Sequence, residues 1–414
     1  MQKIGKQIWN QRHANGWIIV ELTVVCVLLW YTIDLVYNYE GAAWQPKGYD
    51  TENVFDLQVS NKPIEMLKAE DNNNAGQDFS YLYNLIKDYP GVEEVGYYYG
   101  SIPYTNVIRH EGYASHADSS RTVHAKIRYV SPEYFKVFRL EAIEGKIDLE
   151  KWKGKEYPMP VLMTEELTDS LFGKVGLDAI GKRSFNPYWG KTQTNYQVMA
   201  ILPRHKLDEY QRYEPFIYLP TPEPRPLWWQ HVVIRVHPDH VAGFAERFRK
   251  DMQPVFDRGI FYLDHIQSYA DMKESFDIEQ GTINYLNTAY AVIIFFMFNV
   301  FLSILGIFWF RTHKRKSEIA LRMAMGCSKK GIFHHYLTEG MILLFMAALP
   351  ALLICINIYM GDLTVHTLMD TSVSRFIGCF LSAILVMALI VSLGIYFPAR
   401  KAMKVEPAEA LHDE

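Results

Sequence analysis

Cysteine is scarce in this sequence and absent from its middle. The 414 residues hold four, Cys26, Cys327, Cys355 and Cys379, so the long central stretch has none. That region must fold without disulfides, and the spacing gives neither a zinc site nor a redox pair. A surplus of positive charge is also missing. Lys and Arg total 42 against 46 Asp and Glu, a net charge of -4, which offers no argument for nucleic-acid binding. No P-loop of the form G-x-x-x-x-G-K-[ST] occurs, so nucleotide hydrolysis by that route is excluded for these residues. H-E-x-x-H and G-x-S-x-G are missing as well. The fourteen histidines are scattered. His334 and His335 are adjacent, so on a helix they point about 100° apart and make a poor metal pair. No catalytic residue, metal ligand or bound cofactor is assigned to the chain.

What is abundant is apolar residues, 49% of the total, and they gather at the two ends. Four stretches have the roughly 20 apolar residues that cross a bilayer as a helix: Trp17–Tyr37, Thr288–Phe310, Leu337–Met360 and Phe376–Phe397. The first contains Glu21 and Asp34, but Lys3, Lys6 and Arg12 precede it and Trp30, Tyr31, Tyr37 and Tyr39 follow as interfacial aromatics do. It is longer than a signal-peptide core, so a retained span is expected over cleavage near Ala42-Ala43. The expected fold is therefore an α-helical membrane protein with one span, a large domain, and three further spans.

Orientation follows from the basic residues. Residues 311–336 carry Arg311, Lys314, Arg315, Lys316, Arg322, Lys329 and Lys330, whereas 361–374 carry no Lys or Arg. The positive-inside rule puts both termini (1–16 and 398–414) and the 311–336 loop in the cytoplasm, with 38–287 and the short 361–375 loop outside.

The external region reads as mixed α/β. Val54–Val59, Val92–Tyr99, His124–Val130, Pro160–Met163, Tyr196–Leu202, Phe216–Leu219 and His231–Val236 have strand character. Asp78–Lys87 places Phe79, Leu82, Leu85 and Ile86 on one helical face, and Asp239–Met252 is amphipathic. Ser131 and Thr164 are candidate N-caps of short helices. From about Gln267 a helical pattern of Tyr269, Met272 and Phe276 heads toward the second span, with Gly281 as a candidate interruption. A continuous helix there would couple the domain stiffly to the membrane, as a flexible linker would not.

The loop after the second span is more than a topological anchor. Ser317-Glu318 opens a short run of helix formers, Ala320, Leu321, Met323, Ala324 and Met325, that Gly326 stops. An apolar face displayed among basic residues suggests docking to a partner. The run Arg315-x-x-Glu318-Ile319-Ala320-Leu321-Arg322-x-Ala324-x-Gly326 resembles the coupling-helix signature of the FtsX/MacB-like ABC transporter permeases. Pro398-Ala399-Arg400-Lys401-Ala402, followed by Glu406-Pro407-Ala408-Glu409-Ala410-Leu411, is similar to that family's closing motif, though His412 stands where the family commonly has a basic residue. Ser131-Pro132-Glu133-Tyr134-Phe135, Glu144-Gly145, Phe172-Gly173 and Ile180-Gly181-Lys182 resemble the periplasmic core domain of MacB-like permeases.

The resemblance implies a dimeric permease, as a homo- or heterodimer, in the inner membrane, with its large domain in the periplasm. It implies a porter-like part with an insertion at about 100–220 and a helical stalk from about 267. It implies a partner ABC ATPase on another polypeptide that binds ATP and Mg and contacts Glu318, Ile319, Leu321, Arg322, Ala324 and Gly326. Glu339, at the entry of the third span, is the candidate contact between coupling helix and bundle. Glu21 and Asp34 would face the bundle interior or the interface, since charge facing lipid is costly. A periplasmic adaptor, an outer-membrane factor and membrane lipids are further partners of this family type. The implied work is export or extraction of a lipoprotein, peptide, toxin or drug. The alternatives are FtsX-like control of a cell-wall hydrolase and a ligand-sensing receptor.

Overall fold

The computed structural model describes residues 12–63, 65, 67, 75–153, 157–173, 176–221, 231–256, 260–314, 321 and 325–402. The chain divides into two compact units. One comprises Met1–Ala42 with Ile283–Glu414, and the other Ala43–Thr282.

The first unit is helical. It contains α1 (Arg12–Ala43) and three long helices that are numbered below as α8, α9 and α10. All four are long and apolar enough to cross a membrane. Within the bundle, Leu22, Cys26 and Trp30 of α1 pack with Ile304 and Phe308, Tyr336 and Ala347, and Met387 and Val391. The outer faces are apolar as well: Leu381, Leu385, Leu389 and Leu393 recur every fourth residue and are exposed. In water such a stripe would be unstable; in lipid it is the expected solvent-facing side. This is a membrane protein with a large α/β domain between its first and second spans.

The second unit starts with β1 (Val54–Asn61), α2 (Ala75–Lys87) and β2 (Val92–Gly100). The next strands are β3 (His110–Ser115) and β4 (Val123–Val130), then α3 (Tyr134–Val137), β5 (Glu144–Gly145) and α4 (Leu149–Lys153). β6 (Met159–Thr164), α5 (Glu165–Phe172), β7 (Arg183–Phe185), β8 (Tyr196–Leu202) and β9 (Phe216–Pro220) come after them. The unit closes with β10 (His231–Val236), α6 (Phe244–Phe256), β11 (Phe261–Ser268) and α7 (Tyr269–Glu279).

Two β-α-β halves, β1-α2-β2 and β10-α6-β11, interleave into an antiparallel sheet in the order β11-β1-β10-β2. Their helices cover one face. Phe79, Leu82 and Ile86 of α2 and Phe244, Phe248, Met252 and Phe256 of α6 recur at helical spacing and bury against Leu57, Val95 and Ile234. Everything from 101 to 230 is inserted between the halves. There β4 is shared: its last residues pair with β2, its first with β3, and β9 runs parallel to it on the other side. From β4 the path β3-β7-β8-β6-β9 returns to β4, so these six strands close on themselves. Closure leaves no free edge. Ile127, Val161, Met163, Val198 and Ile217 fill the interior.

Several local expectations need correction. Ser131 does not cap α3: Glu133 holds that place, and Ser131 Oγ accepts from Tyr97 N at 3.2 Å, tying α3 to β2. Thr164 stands at the N-cap of α5, but its hydroxyl accepts from Phe216 N at 3.0 Å across the sheet. The second amphipathic helix begins at Phe244, five residues later than its periodicity suggests, because Pro238–His240 forms a separate single turn. The stalk is not continuous. Ser268 Oγ caps α7 by accepting from Asp271 N, α7 ends at Glu279, Gly281 takes φ +73°, and α8 (Thr282–Lys314) begins anew. A left-handed residue cannot lie inside an α-helix.

Candidate functional site

The loop between the second and third spans lies between α8 and α9 (Lys329–Met360). Of the six coupling residues, Glu318, Ile319, Arg322 and Ala324 lie outside the described residues. Leu321 and Gly326 lie within them. Met325 N donates to Leu321 O at 3.0 Å, and Gly326 follows with φ +95°. Leu321 and Met325 are 50% and 73% exposed, so both display apolar side chains. Ser328 then caps α9, its Oγ accepting from Gly331 N at 3.2 Å.

At the other end of the bundle the 361–375 loop folds onto the last turns of α1. Arg375, at the start of α10 (Val373–Ala402), holds the Asp34 carboxylate with both faces of its guanidinium fork: Nε to Oδ1 and Nη2 to Oδ2, each 2.8 Å. Its remaining hydrogens reach the carbonyls of Val365 at 2.8 Å and Met369 at 3.1 Å. Asn38, one turn further along α1, accepts from Met369 N at 3.0 Å and donates to Thr367 Oγ1. Asp34, Asn38 and Arg375 are all buried. Asp34, a candidate from the sequence, and Arg375 form one buried ion pair. Glu21 is satisfied differently, accepting from the Ser303 hydroxyl of α8. Glu339 is 2% exposed, inside the bundle and not at a watery edge.

In the second unit, the segment that follows α1 in sequence is pinned at two points. Arg235 of β10 donates Nη1 to Glu52 O at 2.8 Å, Nη2 to Asp50 O at 3.1 Å and Nε to Val137 O at 2.6 Å. Lys47 pairs with Glu209 at 2.9 Å and donates to Tyr104 OH at 2.5 Å. Glu209 sits in the loop between β8 and β9, and its second oxygen lies 3.9 Å from Lys273 of α7, which itself pairs with Asp277 at 2.5 Å. Burial opposes charge on Glu209, but Lys47 and Lys273 outweigh it and hold the carboxyl below its ordinary range. The chain entering the domain, the chain leaving it, and the inserted barrel thus meet at one carboxylate.

A family model described as FtsX-like permease C-terminal matches residues 290–407. Over that stretch the chain is similar to the FtsX-like permease C-terminal domain. The match covers the second to fourth candidate spans, with Leu321, Gly326 and the Asp34 partner Arg375 inside it. The pyoverdine export ATP-binding/permease protein PvdT of Pseudomonas entomophila (strain L48) is 26% identical over 116 residues, 27% of this chain and 17% of that protein. The chain thus spans under a fifth of that relative's length. Two solved structures are similar to part of this chain at low identity. The extracellular domain of the noncanonic ABC-type transporter YknZ from Gram-positive bacteria is 12% identical with a TM-score of 0.31, covering 50% of this chain and 98% of that one. A domain of a putative permease from Porphyromonas gingivalis is 14% identical with a TM-score of 0.33, covering 53% and 90%.

The sequence held no motif for the cluster around Glu209. Lys47, Tyr104, Glu209 and Lys273 are far apart in sequence and belong to no motif. Only the topology, which inserts 101–230 between two β-α-β halves, brings them together.

Proposed function

We propose that this chain is the permease subunit of an ABC-type machine that turns ATP-driven motion into movement of its external domain. An ATPase not contained in these residues would dock on the loop between the second and third spans. The observation that carries this reading is the pair Leu321 and Met325, joined by the Met325 N to Leu321 O hydrogen bond and both exposed inside the FtsX-like match. Such a knob serves a partner groove and has no use in a plain topological loop. Glu318 and Arg322, four apart in sequence and outside the described residues, would complete the docking element. The bundle, locked at Asp34–Arg375, passes the motion on as a rigid body. The external domain, in the periplasm by the positive-inside reading, works on an exported or extracted lipoprotein, peptide, toxin or drug as part of a dimer.

The test is co-expression with candidate ABC ATPases and purification in mild detergent. An ATPase should copurify, and Glu318→Ala, Arg322→Ala and Gly326→Trp should each abolish its stimulated activity while leaving membrane insertion intact. No copurifying ATPase, or full stimulation in all three variants, would overturn the reading. A periplasmic hydrolase copurifying along with the ATPase would instead assign the moving domain to enzyme control.

A further inference from the structure

One cavity of the external domain is unused by this scheme. It measures about 570 Å³ and is lined by Gln58 of β1, Tyr99 of β2, Ile102, Thr105 and Val107 of the following loop, Arg109, and His231 of β10. That volume falls in the usual range for small-ligand sites, which are mostly apolar with a few placed polar groups.

Beside neutral Gln58 and Thr105, the lining holds two basic side chains, Arg109 and His231, and no acidic one. His231 is anchored from behind by Asp56, a fully buried residue of β1, whose carboxylate oxygens lie 2.8 and 3.0 Å from His231 Nδ1. A carboxylate at Nδ1 fixes the proton there and leaves Nε2 as the free end of the ring. Burial works against protonation of His231, but Asp56 outweighs it and the pKa lies above the ordinary value. Arg109 is held in the same way from one side, Nη2 donating to Glu111 at 3.1 Å, with its guanidinium 5.5 Å from the Tyr129 ring. Tyr129 stacks in turn on the cavity's Tyr99, centroids 4.5 Å apart and 10° from parallel. Asp56 and Glu111 fix the two cations but are not themselves among the lining residues.

We propose that this cavity binds a carboxylate carried on an apolar or aromatic group, with the carboxylate at Arg109 and His231 and the apolar body along Tyr99, Ile102 and Val107. Two donors on preset supports suit a planar anion, and the tyrosine stack suits its apolar part. The inference is independent of ATPase coupling, since binding needs only the external domain.

The test titrates the full chain, purified in detergent micelles, with N-acetyl-phenylalanine by calorimetry. The acid should bind, and the neutral N-acetyl-phenylalaninamide should bind at least tenfold more weakly. Arg109→Gln and His231→Gln should each weaken the acid at least tenfold, while Lys146→Gln, elsewhere on the domain, should not. Because His231→Gln could disturb Asp56, Val107→Trp offers a second route: it fills the exposed rim without touching the dyad and should abolish binding. A tetrapeptide ending in phenylalanine that binds tenfold more tightly would identify a polypeptide C-terminus as the source, and equal binding a free acid. No binding, equal binding of acid and amide, or indifference to Arg109→Gln and Val107→Trp would overturn the proposal.

Discussion

Lys47 Nζ lies 2.9 Å from Glu209 Oε1, which ties the segment following the first span to the inserted barrel. Both side chains are largely withdrawn from water, at 17% and 13% exposure, so solvent screens the pair less than it would a surface bridge. Lys273 of α7, eight residues before Gly281, approaches the same carboxylate. Gln and Glu have the same shape, so Glu209→Gln removes charge and little else. It should destabilise the external domain by roughly 1–3 kcal/mol, the cost of leaving buried charged donors unpaired. Thermal unfolding of the full chain in detergent measures this. A double cycle with Lys47→Met should show coupling between the two, and additive effects would mean the pair contributes nothing.

Asp208, next to Glu209, is driven the other way. Burial raises its carboxyl to about 6, and the neighbouring Glu209 and Asp277 charges add to that, although its Oδ1 accepts from Tyr210 N at 2.8 Å. A carboxyl whose folded pKa is raised favours folding fully only below its unfolded pKa of about 3.9, and that contribution is lost as pH rises through about 6. Asp208→Asn keeps the acceptor and removes the charge. It should stabilise the protein by about 1–3 kcal/mol at pH 7.5 and change nothing near pH 4. Glu209→Gln should behave in the opposite sense, destabilising at pH 7.5 and losing its effect as the carboxylate is protonated in acid. A pH series of melting temperatures on both variants separates the two signs.

These two neighbours also show where sequence reading stops. The four spans, the first β-α-β half, the strand and helix that open the second, and most strands were legible because each rests on a periodicity carried by its own residues. Phe79, Leu82 and Ile86 announce a helix wherever they fold. β3, β5, β7 and β11 were missed: β5 and β7 have two and three residues, and β11 (FYLDHIQS) places polar Asp264 and His265 on a strand that follows a helix. The closed barrel was illegible because β4 pairs with three other strands, a fact about topology and not about composition. Ser131 and Thr164 looked like caps for a related reason. Their hydroxyls suit both jobs, and only the fold supplied Tyr97 N and Phe216 N as donors. In the membrane unit, Asp34 was legible as a costly charge, but its partner 341 positions away was not.

The Asp34–Arg375 pair should respond asymmetrically to substitution. Both side chains are buried, at 6% and 3% exposure. Asp34→Asn leaves the guanidinium without its counter-charge, which should cost about 3–5 kcal/mol. The double variant Asp34→Leu/Arg375→Leu removes both charges and should be milder than either single change, although Val365 O and Met369 O lose their donor. Melting curves of the full chain in detergent test the order. A double variant worse than both singles would mean that the carbonyl contacts outweigh the ion pair.

The last prediction concerns how closely the spans approach. A Cβ added at Gly394 of α10 would sit 2.7 Å from Cγ2 and 3.1 Å from Cβ of Ile304 on α8. Ile is stiff at χ1 in a helix, so those atoms cannot swing aside. At Gly340 of α9 the added Cβ would meet Ile395 Cδ1 at 2.3 Å and Val391 Cγ1 at 3.0 Å. The closer contact is the outer end of a side chain with a second rotatable bond, which has a way to yield. Gly378 has nothing within 4 Å. Gly394→Ala should therefore destabilise the bundle most, by about 1–3 kcal/mol as overpacking does. Gly340→Ala should cost less, and Gly378→Ala should be neutral or slightly stabilising, because alanine is the better helix former by about 1 kcal/mol. The order of melting temperatures decides. If Gly394→Ala melts with Gly378→Ala, α8 and α10 are not in close contact at this point, and the bundle has slack there.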